Sequence, residues 1–510
     1  IVHNVYYQDA QELFDRHLYE KGSCVLHMLR GTVGEAAFWR GIQRYCQTNR
    51  GREVVTMDLE RAFEEATGKS LARFFDQWAY RGGHPDFEVS YEWDNEHHLA
   101  RLTVKQAQKV DELTALFAVP VAIAFTTENK GKRETKTVTI NVTQASETFV
   151  FPLERRPLLV RFDPYGWVLK TLKFDRPVTM LRWQLANDPD ALGRVEAAEA
   201  LAKHSDPQTE QALIGAMLGD PFWAVQAEAA KALGSLGTRT ACDALVQALG
   251  AVQHLKARRA VAAALGEWHA PERAEEAELA AHALVGLLDR GDASYRVEAE
   301  AAQSLGKTRV AGAYKALTAL ARRPSWLATV EAGALAGLGE LATPEAVRTL
   351  AQMLADRSHP MLIRSSAAAG LRIAILTGRI EPKSAEYIQV RDTLVAALDD
   401  PWVRSRSIAV LALRALDDPA TLPAIDHAIS SELSSGVVRG LRMTAHAIRS
   451  GKRGEGEVRK VWRDMEELRE ENRKLRDRLT TLEARLGNGH AANGNDQSDS
   501  VEAEATPGAK

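Results

Sequence analysis

Val225-Gln226-Ala227-Glu228-Ala229-Ala230 opens a pattern that recurs through the second half of the chain. It returns as Val195-Glu196-Ala197-Ala198, Val297-Glu298-Ala299-Glu300-Ala301-Ala302 and Val330-Glu331-Ala332-Gly333-Ala334, and less regular copies begin near Arg258, Arg364, Arg404 and Val438. The period is roughly 30 to 40 residues, the signature of stacked supersecondary units. Asp-Pro turns punctuate it at Asp188-Pro189, Asp206-Pro207, Asp220-Pro221, Asp400-Pro401 and Asp418-Pro419. Each copy starts the second helix of a pair. Its alanines let neighbouring helices approach closely, and no pair can cover its apolar face without the next. Residues 176–450 are therefore predicted to form an α-solenoid of about seven or eight helix pairs. Trp223, Trp326 and Trp402 are expected to plug gaps between its helices.

Beyond the solenoid, Gly451-Lys452-Arg453-Gly454-Glu455-Gly456 begins a linker assigned to 451–457. In 458–487, Val461, Leu468, Leu475 and Leu482 are spaced by seven, and Val458, Met465, Asn472, Leu479 and Leu486 form a second series. Two interlocked apolar series make a coiled-coil seam, and Asn472 within it favours a parallel two-stranded register. A lone charged surface helix is the alternative. Residues 488–510, rich in Gly, Asn, Ser, Asp and Ala, read as a disordered tail.

Ahead of the solenoid the period changes from helical to two. Phe87, Val89 and Tyr91 alternate with polar residues, and Leu99 to Val104, Ala115 to Phe125, Lys132 to Val142, Thr148 to Phe151, Leu158 to Phe162 and Trp167 to Phe174 follow. About seven short strands in residues 86–175 argue for a small β-sandwich, with Glu128-Asn129-Lys130-Gly131 as a hairpin loop. Residues 1–85 read as helical. A first segment begins at Asp9 to Phe14, a helix spans Thr32 to Cys46, Thr56 is expected to cap the helix containing Asp58, and Gly51 and Gly68 are helix stops. The fold class is multidomain and mainly α.

The 510 residues exceed one core, so several domains are expected. Lys+Arg 65 against Asp+Glu 68 gives no support for a nucleic-acid partner. Cys24, Cys46 and Cys242, far apart, read as free buried thiols of a reducing compartment, which places the protein in the cytoplasm. No apolar run approaches the ~18 residues of a membrane span. The opening Ile1 suggests a C-terminal fragment of a longer polypeptide.

Tyr19-Glu20-Lys21-Gly22 precedes Val25, Leu26, Met28 and Leu29 at helical spacing. It is followed in order by Gly34, Phe38 and Tyr45, by Asp58-Leu59 and Phe63-Glu64, by Gly68-Lys69-Ser70-Leu71, and by Phe74-Phe75-Asp76-Gln77-Trp78 with Gly83-His84-Pro85. This ordered set resembles the segment after the zinc site in the aminopeptidase N family of gluzincin metallopeptidases, and the later copies resemble HEAT-type repeats. Residues 1–85 would then be the C-terminal part of the helical catalytic domain. The resemblance implies a peptide substrate, catalytic zinc, and for Tyr19 a hydrogen bond to the oxyanion of the tetrahedral intermediate. Without it, Tyr19 reads equally as a tyrosine bonding locally at a helix entrance. The family's H-E-x-x-H motif does not occur in the sequence, so its zinc ligands are expected upstream and the chain alone is expected to be inactive.

Glu20 and Lys21 are expected to fix their turn. His17, His27, His84 and the His97-His98 pair lack ligand spacing, and Trp78 is expected in the core. The rival reading is a non-catalytic peptidase-derived scaffold, with a protein partner on the repeats and a parallel homodimer through the heptads.

Overall fold

The structure is a computed structural model that describes residues 17–451. The expected segment at Asp9 to Phe14, most of the 451–457 linker, the coiled coil of 458–487 and the tail lie outside those residues. Among the described residues the chain is mainly helical, with twenty α-helices and seven strands.

Four helices come first: α1 (Gly22–Val33), α2 (Glu35–Thr48), α3 (Thr56–Thr67) and α4 (Ala72–Phe75). The helix expected over Thr32 to Cys46 is split at Gly34, whose φ of 85° ends α1 and admits α2. Leu29, Phe38, Phe63 and Phe75 form the core beneath them. Thr56 is the first helical residue of α3 and not its cap. The capping position is the extended Val55, whose backbone N–H donates to the Asp58 carboxylate at 2.8 Å. Gly68 closes α3 in the left-handed conformation, as its place in the sequence suggests.

The strands are β1 (Asp86–Asp94), β2 (Leu99–Gln106), β3 (Val119–Asn129), β4 (Lys132–Val142), β5 (Ser146–Pro152), β6 (Leu159–Phe162) and β7 (Thr171–Asp175). They make a four-stranded sheet of order β5-β2-β1-β7 and a three-stranded sheet of order β4-β3-β6. The β1–β7 pair is parallel and the other pairings are antiparallel. Rings from both sheets meet in one core: Phe87 on Phe162 at 5.4 Å and Phe125 on Phe151 at 4.9 Å. The β3–β4 hairpin turns on Lys130-Gly131, both at positive φ. Two strand starts were read too early. Residues 115–118 and 167–170 are loop, the second held by Asp163, whose carboxylate accepts from the N–H groups of Trp167 and Val168 at 3.1 and 2.9 Å.

Eight helix pairs follow: α5 (Val178–Asn187) with α6 (Ala191–Leu201), α7 (Pro207–Gly219) with α8 (Trp223–Leu236), α9 (Arg239–Ala251) with α10 (Leu255–Leu265), and α11 (Ala274–Arg290) with α12 (Tyr295–Thr308). Next come α13 (Ala313–Leu320) with α14 (Thr329–Leu341), α15 (Pro344–Ala355) with α16 (Met361–Leu376), α17 (Ala385–Ala396) with α18 (Val403–Leu416), and α19 (Leu422–Ser431) with α20 (Ser435–Ser450). From α6 to α20 the second helices pack one upon the next in an unbroken layer. The repeated Val and Ala positions supply its core, with Val225, Ala229, Ala230, Val297, Ala301, Ala302 and Val330 fully buried. Trp326 departs from expectation. It is 73% exposed, because Leu327 and Ala328 take left-handed φ of 51° and 52° and turn it outward.

The solenoid joins the sandwich through a buried ion cluster. Arg161 of β6 donates to Asp190 at 2.7 Å and lies 3.4 Å from Asp188. Gly193 is required beside it, since a Cβ there would lie 2.1 Å from an Asp188 oxygen. Burial pulls the neighbouring Arg176 guanidinium down to about 10.

Candidate functional site

Tyr19 lies in a π-helical turn, His17–Lys21, immediately before α1. The residue is 62% exposed and so stands outside the packed core. Three contacts fix the turn that carries it. The Ser23 hydroxyl donates to the Glu20 carbonyl at 2.8 Å. The Lys21 ammonium donates to the carbonyls of Gly83 at 3.1 Å and Arg81 at 3.4 Å. Lys21 thus does fix its turn, by reaching the Gly82-Gly83 break. Burial lowers its pKa, and burial together with Lys21 holds the His84 imidazole below its usual range.

Behind Tyr19, α1 is clamped on two sides. Val25 and Met28 enter the sandwich core, and Leu29 enters the helical one. The loop held by Asp163 places Trp167 flat on His27, with ring centroids 4.5 Å apart, and against Gly31, where a Cβ would lie 2.7 Å from the indole. Leu169 N–H donates to the Met28 sulfur at 3.3 Å. Tyr19 thus stands in the turn that leads into a helix packed against two cores.

His27 is a packing residue and His97 bonds Asp94 at 2.9 Å in a surface turn. Trp78 is core, 4% exposed. The cysteines divide: Cys242 is buried, Cys24 half-buried and Cys46 exposed, because α2 turns it away from the core. Among the described residues no group of three or more His, Cys, Asp or Glu side chains could hold a metal. The described chain does not supply a zinc donor set, and any such metal would be held by residues outside it. No described helix is long and apolar enough to cross a membrane.

Sequence reading passed over the buried arginines of the solenoid. Arg194 pairs with Asp220 at 2.7 and 3.0 Å, Arg258 with Asp292 at 2.6 and 3.0 Å, Arg364 with Asp400 at 2.9 and 3.1 Å, and Arg406 with Glu432 at 2.7 and 2.9 Å. Each tie is bidentate and links the start of one repeat's second helix to the corresponding turn of the following repeat.

Residues 1–78 match the Peptidase family M1 domain, and residues 178–266 and 281–372 match HEAT repeats. The chain is 30% identical to an aminopeptidase N of Haemophilus influenzae over 143 residues, 26% of this chain and 16% of that protein. It is 39% identical to an aminopeptidase N of Lactococcus lactis over 78 residues, 15% of this chain and 9% of that protein. The match thus spans less than a fifth of either relative. The structure of Legionella pneumophila aminopeptidase A in complex with aspartic acid superposes with a TM-score of 0.60 at 14% identity, over 86% of this chain and 57% of that one. That likeness is one of fold.

Proposed function

We propose, taking as premise that the chain is aminopeptidase N-like and carries HEAT repeats, that it contributes one wall of the active site of a zinc-dependent metallo-aminopeptidase acting on the N-termini of peptides. Tyr19 is the residue assigned to the chemistry. As the scissile carbonyl becomes tetrahedral its oxygen gains negative charge, and a phenol aimed at that position donates a hydrogen bond that strengthens only in the transition state. Zinc, held by residues outside those described, would supply Lewis-acid stabilisation. What supports the reading is the exposed Tyr19 in the turn that leads into a helix packed against two cores. Lys21 serves as a positioning residue for it.

The test is Tyr19→Phe in the protein with its metal-binding portion in place. The expected loss is on the order of 10²–10³ in kcat with KM nearly unchanged. An unchanged kcat removes Tyr19 from the mechanism. We place the protein in the cytoplasm, consistent with an exposed unpaired thiol at Cys46.

The scaffold reading keeps one observation in its favour. Eight continuous helix pairs offer far more surface than one active-site wall needs. A full-length protein that lacks zinc and peptidase activity while binding a partner through the repeats would favour it.

A further inference from the structure

We propose that the edge of the solenoid formed by the starts of its second helices is a docking ridge for a linear, acidic segment of a partner protein studded with bulky apolar residues. This does not rest on the peptidase reading. The helices α8, α10, α12, α14, α16 and α18 pack in sequence and side by side, so their N-termini line one edge. At that edge each presents an exposed apolar side chain: Phe222 (40%), Leu255 (47%), Tyr295 (48%), Trp326 (73%), Met361 (46%) and Val403 (40%). Leu255, Tyr295, Met361 and Val403 open their helices, Phe222 precedes α8 by one residue and Trp326 precedes α14 by three. Scattered exposed apolar residues are ordinary, but one at the start of each successive second helix makes a file along that edge.

Two departures from local rules mark the ridge as more than a by-product of packing. First, Leu327 and Ala328 both hold positive φ without being glycine, and the result is to expose Trp326 and Leu327 (66%). Left-handed conformations at such residues cost stability and collect at functional places. Second, the exposed charge in these first helical turns is positive. Acids are favoured in a first helical turn, yet the first turns of α8, α10, α16 and α18 contain none, and the acids in those of α12 and α14, Glu298 and Glu331, are buried. The exposed charges in those turns are cations instead: Lys256, Arg296 and Arg404. Lys256 lies over the Trp223 ring at 4.4 Å. Parallel helix N-termini, cations and apolar side chains together complement acidic residues alternating with apolar ones.

Helices stacked about 10 Å apart give six repeats a ridge of roughly 50 Å, the reach of an extended segment of about 15 residues. A file one side chain wide suits a chain and not a bilayer, which is the outcome to test against.

The experiment titrates the full chain with a fluorescein-labelled synthetic peptide of about 15 residues in which Asp and Glu alternate with Phe and Leu. The controls are the same peptide with Lys for each acid, and phosphatidylserine-containing vesicles. The acidic peptide is expected to bind with marked salt dependence. The double variant Trp326→Ala/Leu327→Ser should weaken it at least about tenfold, as loss of an aromatic anchor does. The triple variant Lys256→Gln/Arg296→Gln/Arg404→Gln, which changes surface residues alone, should weaken it and flatten the salt dependence, with circular dichroism unchanged for both variants. Equal binding of the Lys peptide, binding to vesicles without binding to the acidic peptide, or no binding at all would each overturn the proposal.

Discussion

The centre of the solenoid and its flanks stack the same kind of helix by different means. At the flanks the second helices are tied by arginine: Arg194 to Asp220 and Arg258 to Asp292 on one side, Arg364 to Asp400 and Arg406 to Glu432 on the other. In the centre the corresponding positions are the carboxylates Glu298 and Glu331. Glu298 keeps a tie with the charges exchanged, accepting from the Arg323 guanidinium in the turn of the following repeat. Both carboxylates also accept from their own turns, Glu298 from Asp292 N–H at 3.1 Å and Glu331 from Ser325 N–H at 2.9 Å. What the centre adds is backbone contact. A Cβ on Gly306 would lie 2.0 Å from the Gly337 carbonyl oxygen, one on Gly333 2.4 Å from that of Ala299, and one on Gly339 2.3 Å from that of Gly370. The second-helix layer is drawn tight there, while the first-helix layer opens. Clefts of about 250 and 580 Å³ flank the short helix α13, and Tyr314 bridges one of them to Thr349 at 2.9 Å. The glycines thus set how closely the central helices approach, and the arginines tie each repeat to the next.

The largest effect should come from breaking the centre. Gly306→Val places side-chain atoms inside the backbone of α14, and neither backbone can yield without separating α12 from α14. A loss of about 3 kcal/mol or more is expected in a urea melt, against no loss and a gain of a few tenths of a kcal/mol for the same change at Gly215, where a Cβ meets nothing within 4 Å and Val is the better helix former. Equal losses at both sites would show that close approach is not what holds the centre.

A flank tie should rank next. The side chains of Arg364 and Asp400 are 7% and 6% exposed. Arg364→Leu leaves a buried carboxylate with its main partner gone, for a loss of about 3 kcal/mol. Adding Asp400→Leu should restore part of that, since a paired apolar replacement removes the unpaired charge. A double variant no better than the single one would mean that Asp400 matters to its own turn, where Trp402 N–H donates to it at 2.8 Å, more than to the ladder.

The same contrast explains what could be read from sequence. The repeat was legible because it is local: Val-x-Ala-x-Ala-Ala returns every 30 to 40 residues or a multiple of that, Asp-Pro marks several of the turns, and two-residue alternation marked the strands. The ladder was half visible. Arg258 and Arg364 stand where two weaker copies begin, and their acids lie one repeat later, 34 and 36 residues on, so comparing copies for an Arg followed by an acid would have found it. The support of Tyr19 was not legible. Lys21 finds its acceptors 60 and 62 residues away, at carbonyls that no side-chain pattern announces. Trp326 was misjudged because its exposure follows from the left-handed turn at Leu327-Ala328, which no glycine or asparagine signals.

The smallest expected effect is on acid stability, and it separates the regions without altering packing. Glu432 accepts both guanidinium bonds of Arg406 and the N–H of Ser434 at 2.8 Å, and these hold its carboxyl below the usual range. A carboxyl depressed in the folded state stabilises it fully above the unfolded value of about 4.3, and that contribution is lost as pH falls through the folded value. Asp400 and Asp292, where burial pushes upward most but the bonds and charge of Arg364 and Arg258 together with the N–H groups of Trp402 and Ser294 bring the carboxyl below its usual range, behave in the same sense. The backbone contacts of the centre carry no proton to gain. Below about pH 4, then, hydrogen exchange should rise first in α20, which the Arg406–Glu432 tie secures, while α14, held by backbone contact at Gly333, Gly337 and Gly339, stays protected. Glu432→Gln should lower the protection of α20 at neutral pH and remove its share of the acid response. If α14 opens before α20, the ties are not the acid-sensitive element and the division of labour proposed for the solenoid fails.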